Sequence, residues 1–294
     1  MQLVPKKRKN NITSTLLTWY SVHQRILPWR KTHNPYKILV SEIMLQQTQV
    51  SRVLIKYREF LIAFPNLQAL ANASPAEVIR VWKGLGYNRR ALFLQKTAQA
   101  IRDNHKNVFP KDIKQLCALP GVGDYTARAV LSFAFNQAVP MMDTNHRRFY
   151  QRVFFGLEIK KDKELLLLAQ EIIPKDDAYD WNQALMDFGS LVCTSQRPTC
   201  DICPLKKLCK AYPQILTIDT FQKTKKTTVI PFKQTNRFIR GKIIDTLRKN
   251  NSLKITNIVL LFAEFTPERV IKVIDTLQKD NLIIVKNGRI LLPI

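Results

Sequence analysis

Four cysteines crowd one short stretch. Cys193, Cys200, Cys203 and Cys209 follow the spacing C-x6-C-x2-C-x5-C. Thiolates this close can wrap one metal centre, and a single C-x2-C pair leaves a zinc site and a cubane iron–sulfur cluster both open. A fifth cysteine, Cys117 in "KQLCALPG", reads as a small core residue. Carboxylates offer a second chemistry. "SEIMLQQTQV" carries one acid, Glu42, which shares a helix face with Ile38, Leu39 and Leu45 and precedes the amides Gln46, Gln47 and Gln49. Burial among such neighbours should raise the pKa of Glu42. "MMDTNHRRFYQRV" sets Asp143 just ahead of a helical run, where a capping carboxylate receives backbone N–H bonds and stays ionised. In "LPGVGDYTARAV", Gly121 and Gly123 permit a tight turn between two helices. Outward-pointing N–H groups at such a helix start can hold a phosphate oxygen without reading sequence, although an ordinary helix–turn–helix corner carries the same signature.

The elements that must position these groups are helical almost throughout from Thr13 to about Tyr212. Pro35 opens a helix that runs to about Phe64. Ser74-Pro75 is a cap followed by proline at the first helical position, and Gly84 and Gly86 break the helix it starts. A further helix covers "RRALFLQKTAQAIRDN", and Pro110 leads into the Gly121 turn. Lys210 to about Thr235 has no periodicity and reads as a linker. Beyond it come "RFIRGKIIDTLRKN", "ITNIVLLFAEF" and a helix capped by Thr266 with Pro267 at its first position, then two apolar runs joined by Asn287-Gly288, a hairpin signal. Three helices and a hairpin suggest a small winged-helix-like α+β domain, serving either packing and dimerisation or DNA contact. The expected organisation is a basic arm over 1–12, a helical domain over 13–212 with the cysteine loop at 193–209, a linker over 213–234 and the small domain over 235–294. The opening "VPKKRKNN" resembles a nuclear-import signal, or an arm that touches phosphates.

The 294 residues include 47 Lys and Arg against 22 Asp and Glu, a net charge of +25. A field of this sign draws polyanions, nucleic acid first and an anionic membrane surface second. No apolar run approaches the roughly 20 residues that span a bilayer, and the opening does not read as an export signal. Reduced cysteines and an intracellular place are expected, cytoplasmic or nucleoid, or nuclear in a eukaryote, with nucleic acid rather than a membrane as the partner.

"LPWR" at 27–30, "SEIMLQQTQV", "GLGYNRRALFLQK", "LPGVGDYTA", the Asp143 segment, "WNQALMDFGSLVC" and the four cysteines occur in one order. Together they resemble the MutY-type adenine DNA glycosylases of the endonuclease III-like, helix-hairpin-helix superfamily, over roughly residues 15 to 212. The resemblance implies a mainly α, two-lobed helix-hairpin-helix glycosylase core and a [4Fe–4S] cluster on Cys193, Cys200, Cys203 and Cys209. By the same resemblance Glu42 protonates the departing adenine and Asp143 stabilises the sugar cation, with Asn145 orienting Asp143 or the attacking water. Trp29, Arg30 and Gln183 match the adenine pocket. Gln47 and Thr48 fit the loop that fills the vacated stack, and Tyr87 the wedge from the other side. Tyr125 stands where superfamily members that cut the backbone carry lysine, which implies little or no lyase activity. Two features depart from the pattern. Asp143-Thr144-Asn145-His146 lacks the usual glycine after the aspartate, and the C-terminal segment lacks the length and strands of a Nudix-like domain. Three functions follow as expectations: excision of adenine opposite 8-oxoguanine or guanine, excision of thymine or uracil from mismatches, and non-catalytic iron–sulfur DNA binding.

Overall fold

The computed structural model describes residues 4–217 and 230–294. In chain order the helices are α1 (Lys6–His23), α2 (Pro35–Leu45), α3 (Val50–Ala63), α4 (Leu67–Asn72), α5 (Pro75–Val81), α6 (Arg89–Asn104), α7 (Ile113–Cys117), α8 (Asp124–Phe135), α9 (Thr144–Tyr150), α10 (Asp162–Ile172) and α11 (Ala178–Leu191). There follow α12 (Asn236–Leu247), strand β1 (Leu253–Lys254), α13 (Ile255–Leu261), α14 (Pro267–Lys279), β2 (Ile284–Lys286) and β3 (Arg289–Leu291). Short 3-10 turns include Pro28–Arg30, and none of the described helices is long and apolar enough to cross a membrane. Most of the expected linker over 213–234 lies outside the described residues.

The chain divides into two compact units. The first takes the described residues of 1–38, 111–117 and 122–224. Its core joins Ile12, Leu16 and Tyr20 of α1 to Phe149, Leu168, Trp181, Leu185 and Phe188. Phe149 meets Trp181 and Phe188 edge-on, at centroid distances of 6.0 Å, the arrangement that ring quadrupoles favour. The stretch expected as a basic arm is different in kind. Residues 6–12 are the first turns of α1, and Arg8 donates to the carbonyls of Val153 (2.9 Å) and Leu208 (3.0 Å). A guanidinium that satisfies two chain carbonyls beside a buried Ile12 gains more than a solvated arm would. Cys117 also departs from expectation, being exposed rather than in a core.

The second unit takes 39–110, 118–121 and the described residues of 225–294. Ser74 caps α5 with Pro75 at the first helical position, as expected, and Glu77 completes a capping box, each side chain accepting from the other's backbone N–H. Thr266 caps α14 by accepting from Arg269 N, ahead of Pro267. Asn287 and Gly288 both have positive φ (50° and 66°), as a type I′ hairpin turn requires. The hairpin β2–β3 is joined by β1 in the order β1-β3-β2, all antiparallel, which completes a winged-helix-like arrangement. Its helices bury Ile239, Ile243, Ile244, Val270, Ile274 and Leu277 in one core with Ala76, Ile79 and Leu92 of α5 and α6. One long helix from Pro35 is corrected to two. The chain breaks after Leu45 and resumes at Val50, because Gln47 takes a φ of 53° that no right-handed helix tolerates.

Candidate active site

Asp143 is the N-cap of α9, as expected, and it collects four hydrogen bonds. Its carboxylate accepts from the backbone N–H groups of Asn145 and His146 (both 2.8 Å), from Asn145 Nδ2 (3.0 Å) and from His146 Nδ1 (2.6 Å). Burial pushes the carboxyl up, but the His146 hydrogen bond and charge, the backbone N–H and the Asn145 amide outweigh it and hold the pKa at about 2. The carboxylate is 24% exposed, so it is both ionised and reachable. Asn145 is held in turn, its Oδ1 accepting from Arg148 Nη2 (2.6 Å). Arg148 also donates to the carbonyls of Gly189 (2.6 Å) and Cys193 (2.5 Å). Gly189 is a glycine for a steric reason: a Cβ there would lie 2.5 Å from Asn145 Cβ.

The expected pocket residues of the first unit lie on the turn before α2 and on α11. Trp29 is buried in the Pro28–Arg30 turn, and Gln183 is buried on α11. Arg30 has a different occupation from the expected hydrogen bonds to a base edge. Its Nη1 and Nη2 donate to the two oxygens of Asp187 at 2.7 and 2.8 Å, so the fork is spent. Arg25 adds Nε (2.6 Å) and its backbone N–H (3.0 Å) to the same carboxylate. Asp187 is wholly buried; burial raises its pKa, and the Arg30 and Arg25 contacts more than reverse that, leaving it below the usual range. Gln183 and Asp187 are four residues apart on α11 and therefore share a face. Tyr179 Oη donates to the Arg30 carbonyl (2.9 Å). Tyr125 sits half-buried in the first turn of α8, where Gly123 is the N-cap.

In the second unit Glu42 lies within α2, 7% exposed. The loop after it is gathered by Arg90, which sequence reasoning passed over. Its guanidinium donates to the carbonyls of Ile43 (2.7 Å), Met44 (3.1 Å) and Gln46 (2.6 Å). These are carbonyls at the end of a helix, which lack intrahelical partners and favour a cation. The same group reaches Thr48 Oγ1 (3.0 Å) and the carbonyls of Leu85 (3.1 Å) and Gly86 (3.3 Å). Thus the two segments expected to touch DNA from either side, Gln47-Thr48 and Tyr87, hang from one arginine. Gln47 (φ 53°) and Tyr87 (φ 44°) are both left-handed without being glycine. Such strain costs about 1–2 kcal/mol per residue and gathers at functional segments. Gly121 is required by its φ of 77° and by Phe93, whose Cβ would stand 2.6 Å from an added Cβ. Gly123 has no such crowding and an ordinary φ of −88°.

Cys193, Cys200, Cys203 and Cys209 line one cavity of the first unit, and none is in a disulfide. Burial pushes the Cys203 thiol up to about 12, with repulsion from the other three adding to it. Arg152 Nη1 lies 3.4 Å from Cys193 Sγ. Among the described residues no three His, Cys, Asp or Glu side chains converge closely enough for a single metal ion. Four soft thiols around a shared cavity are a donor set that suits a thiophilic metal centre.

Residues 40–175 match the HhH-GPD superfamily of base excision DNA repair proteins. The adenine DNA glycosylase of Mycolicibacterium smegmatis is 40% identical over 240 residues, which cover 81% of this chain and 80% of that protein. A solved thermostable thymine-DNA glycosylase superposes with a TM-score of 0.67 at 32% identity, over 71% of this chain and 98% of that one. An endonuclease III–DNA complex shares the fold, with a TM-score of 0.60 at 24% identity over 71% of this chain and 98% of that one.

Proposed function

The chain belongs to the adenine DNA glycosylase family, within the HhH-GPD superfamily of base excision DNA repair proteins, and from that premise we propose that it removes adenine mispaired with 8-oxoguanine or guanine in double-stranded DNA. The observation that carries the reading is Asp143, an ionised and reachable carboxylate with four donors fixing it. Glu42, buried within α2, is the proton donor in this reading. It protonates a ring nitrogen of the flipped-out adenine. The C1′–N9 bond then breaks with its electron pair on the base, and Asp143 stabilises the oxocarbenium-like sugar until water adds at C1′. Two carboxylates in unlike environments divide the labour as in glycoside hydrolysis.

Asn145 holds Asp143 in place or steers the water. Trp29 and Gln183 face the base, while Arg30 supports them through Asp187. Gln47 and Thr48 fill the hole left in the stack, and Tyr87 enters as the wedge. Tyr125 cannot form a Schiff base, so the enzyme is monofunctional. Gly121 and Gly123 present N–H groups to a phosphate. The four cysteines would hold a [4Fe–4S] cluster, which when bound fastens the 193–209 loop and takes no part in bond breaking. The chain acts as a monomer.

A panel of duplexes carrying A:8-oxoG, A:G, T:G and U:G, treated with alkali to reveal abasic sites, tests the assignment. Adenine release opposite 8-oxoguanine or guanine is expected. The likeness to a thymine-DNA glycosylase motivates the second reading, and release of thymine or uracil in place of adenine would establish it.

A further inference from the structure

The turn between α5 and α6 carries Tyr87 between the positive-φ residue Gly86 and the start of α6. Three consecutive residues of that turn each have a partner in the C-terminal domain. Tyr87 Oη accepts from Arg237 Nη2, and the Arg237 guanidinium stands over the Tyr87 ring, 4.8 Å from its centroid. Asn88 Oδ1 accepts from Arg248 Nη2 (2.9 Å), and Arg89 Nη1 pairs with Asp280 at 3.2 Å. The fourth residue, Arg90, ties the same turn to the Gln47-Thr48 loop and places its own guanidinium 5.5 Å from the Tyr87 centroid. Beneath them Ile79 and Leu92 share a core with Ile239, Ile243 and Leu277.

These contacts do different things. Arg248 and the shared core fasten the domain: Arg248 also donates to the Ile79 carbonyl (3.0 Å). Arg237 is exposed, and its contacts with Tyr87 engage a side chain that is itself 43% exposed. An exposed tyrosine on a glycine turn would otherwise exchange rotamers, and ordering it at the moment of entry into DNA costs free energy. Two cations flanking the ring, one bonded to its hydroxyl, fix it beforehand. The left-handed backbone at Tyr87 is the kind of strained conformation that persists only where surrounding contacts over-determine it.

We propose that Arg237 is a positioning residue for base extraction: it acts through Tyr87, so the C-terminal domain presets the side chain that enters the duplex. The inference rests on the reading of Tyr87 as wedge. It gives the small domain a task in extraction that is separate from any contact it makes with the lesion.

The test uses the full chain and duplexes with adenine or 2-aminopurine opposite 8-oxoguanine, the latter brightening as it leaves the stack. At saturating DNA, Arg237→Ala should slow both the fluorescence rise and single-turnover adenine release by about five- to thirtyfold, the worth of one cation–π contact and one hydrogen bond. Duplex Kd should change by less than about threefold. Arg237→Lys, which keeps the charge over the ring, should recover part of the loss. In a Tyr87→Ala background Arg237→Ala should add nothing further. Equal losses in both backgrounds would overturn the proposal, as would a loss confined to Kd with a shallower salt dependence, the mark of a plain phosphate contact. Wild-type release by Tyr87→Ala would overturn the wedge reading itself, whereas slow release by Tyr87→Ala beside wild-type release by Arg237→Ala would overturn only the part assigned to Arg237.

Discussion

Asp143 is useful because its charge does not depend on working pH. Its folded pKa of about 2 lies below the usual 3.8, so its contribution to stability, about 2 kcal/mol, is complete above pH 4 and lost as the pH falls toward 2. Thermal unfolding of the wild type and Asp143→Asn across that range should show the two curves converging in acid. Adenine release by Asp143→Asn should collapse while duplex affinity survives, and on the acid side the wild-type rate should show no ionisation of Asp143 above about pH 3. Gly189 tests the support behind it. Gly189→Ala drives a methyl into Asn145, which should cost about 1–3 kcal/mol in stability and lower the rate constant for release more than it weakens binding. His146 is the residue that the sequence motif undersold. It stands in the segment that lacks the usual glycine, and it supplies the shortest of the four bonds to Asp143.

Between elements, Arg25, Arg30 and Arg90 tie neighbours together by meeting a carboxylate or a helix end. Asp187 on α11 holds the Pro28–Arg30 turn through Arg30 and the preceding loop through Arg25. Removing one partner of a buried pair strands the other, so Asp187→Ala should cost about 3–5 kcal/mol by denaturant unfolding. Because the Asp187 pKa is depressed, that contribution is present above the usual aspartate range and is lost as the pH falls below it. Arg90 does the same for α2 and the α5–α6 turn. Arg90→Leu leaves the Ile43, Met44 and Gln46 carbonyls without their cation, which should cost about 3 kcal/mol and slow release by loosening the Gln47-Thr48 loop.

At the scale of the molecule the net charge of +25 should govern affinity for the duplex. Between roughly 50 and 200 mM salt the binding constant should fall by about a thousandfold or more, with a linear log–log slope, as counterion release from several phosphates requires. A flat dependence measured by fluorescence anisotropy would mean that the positive residues are spent within the protein, as Arg8, Arg30 and Arg90 are. Among the described residues the C-terminal domain is not an appendage, since α12 and α14 share a core with α5 and α6.

Local chemistry was legible without a structure wherever the physical cause lies within a few residues of chain. The Ser74-Pro75, Asp143 and Thr266-Pro267 helix starts and the Asn287-Gly288 hairpin are such cases, because a cap or a turn is satisfied by its immediate neighbours. The ordered motifs likewise carried the family. The α2–α3 break was already less legible: three amides permit a loop without demanding one, and a φ of 53° at Gln47 is sustained by Arg90, far along the chain. Pairings such as Arg30 with Asp187, Asn145 with Gly189 and Tyr87 with Arg237 were decided by tertiary structure alone. Each joins residues dozens of positions apart, and a guanidinium has no local preference among carboxylates, carbonyls, rings and phosphates. Burial and packing choose the partner, and no spacing in the sequence records that choice.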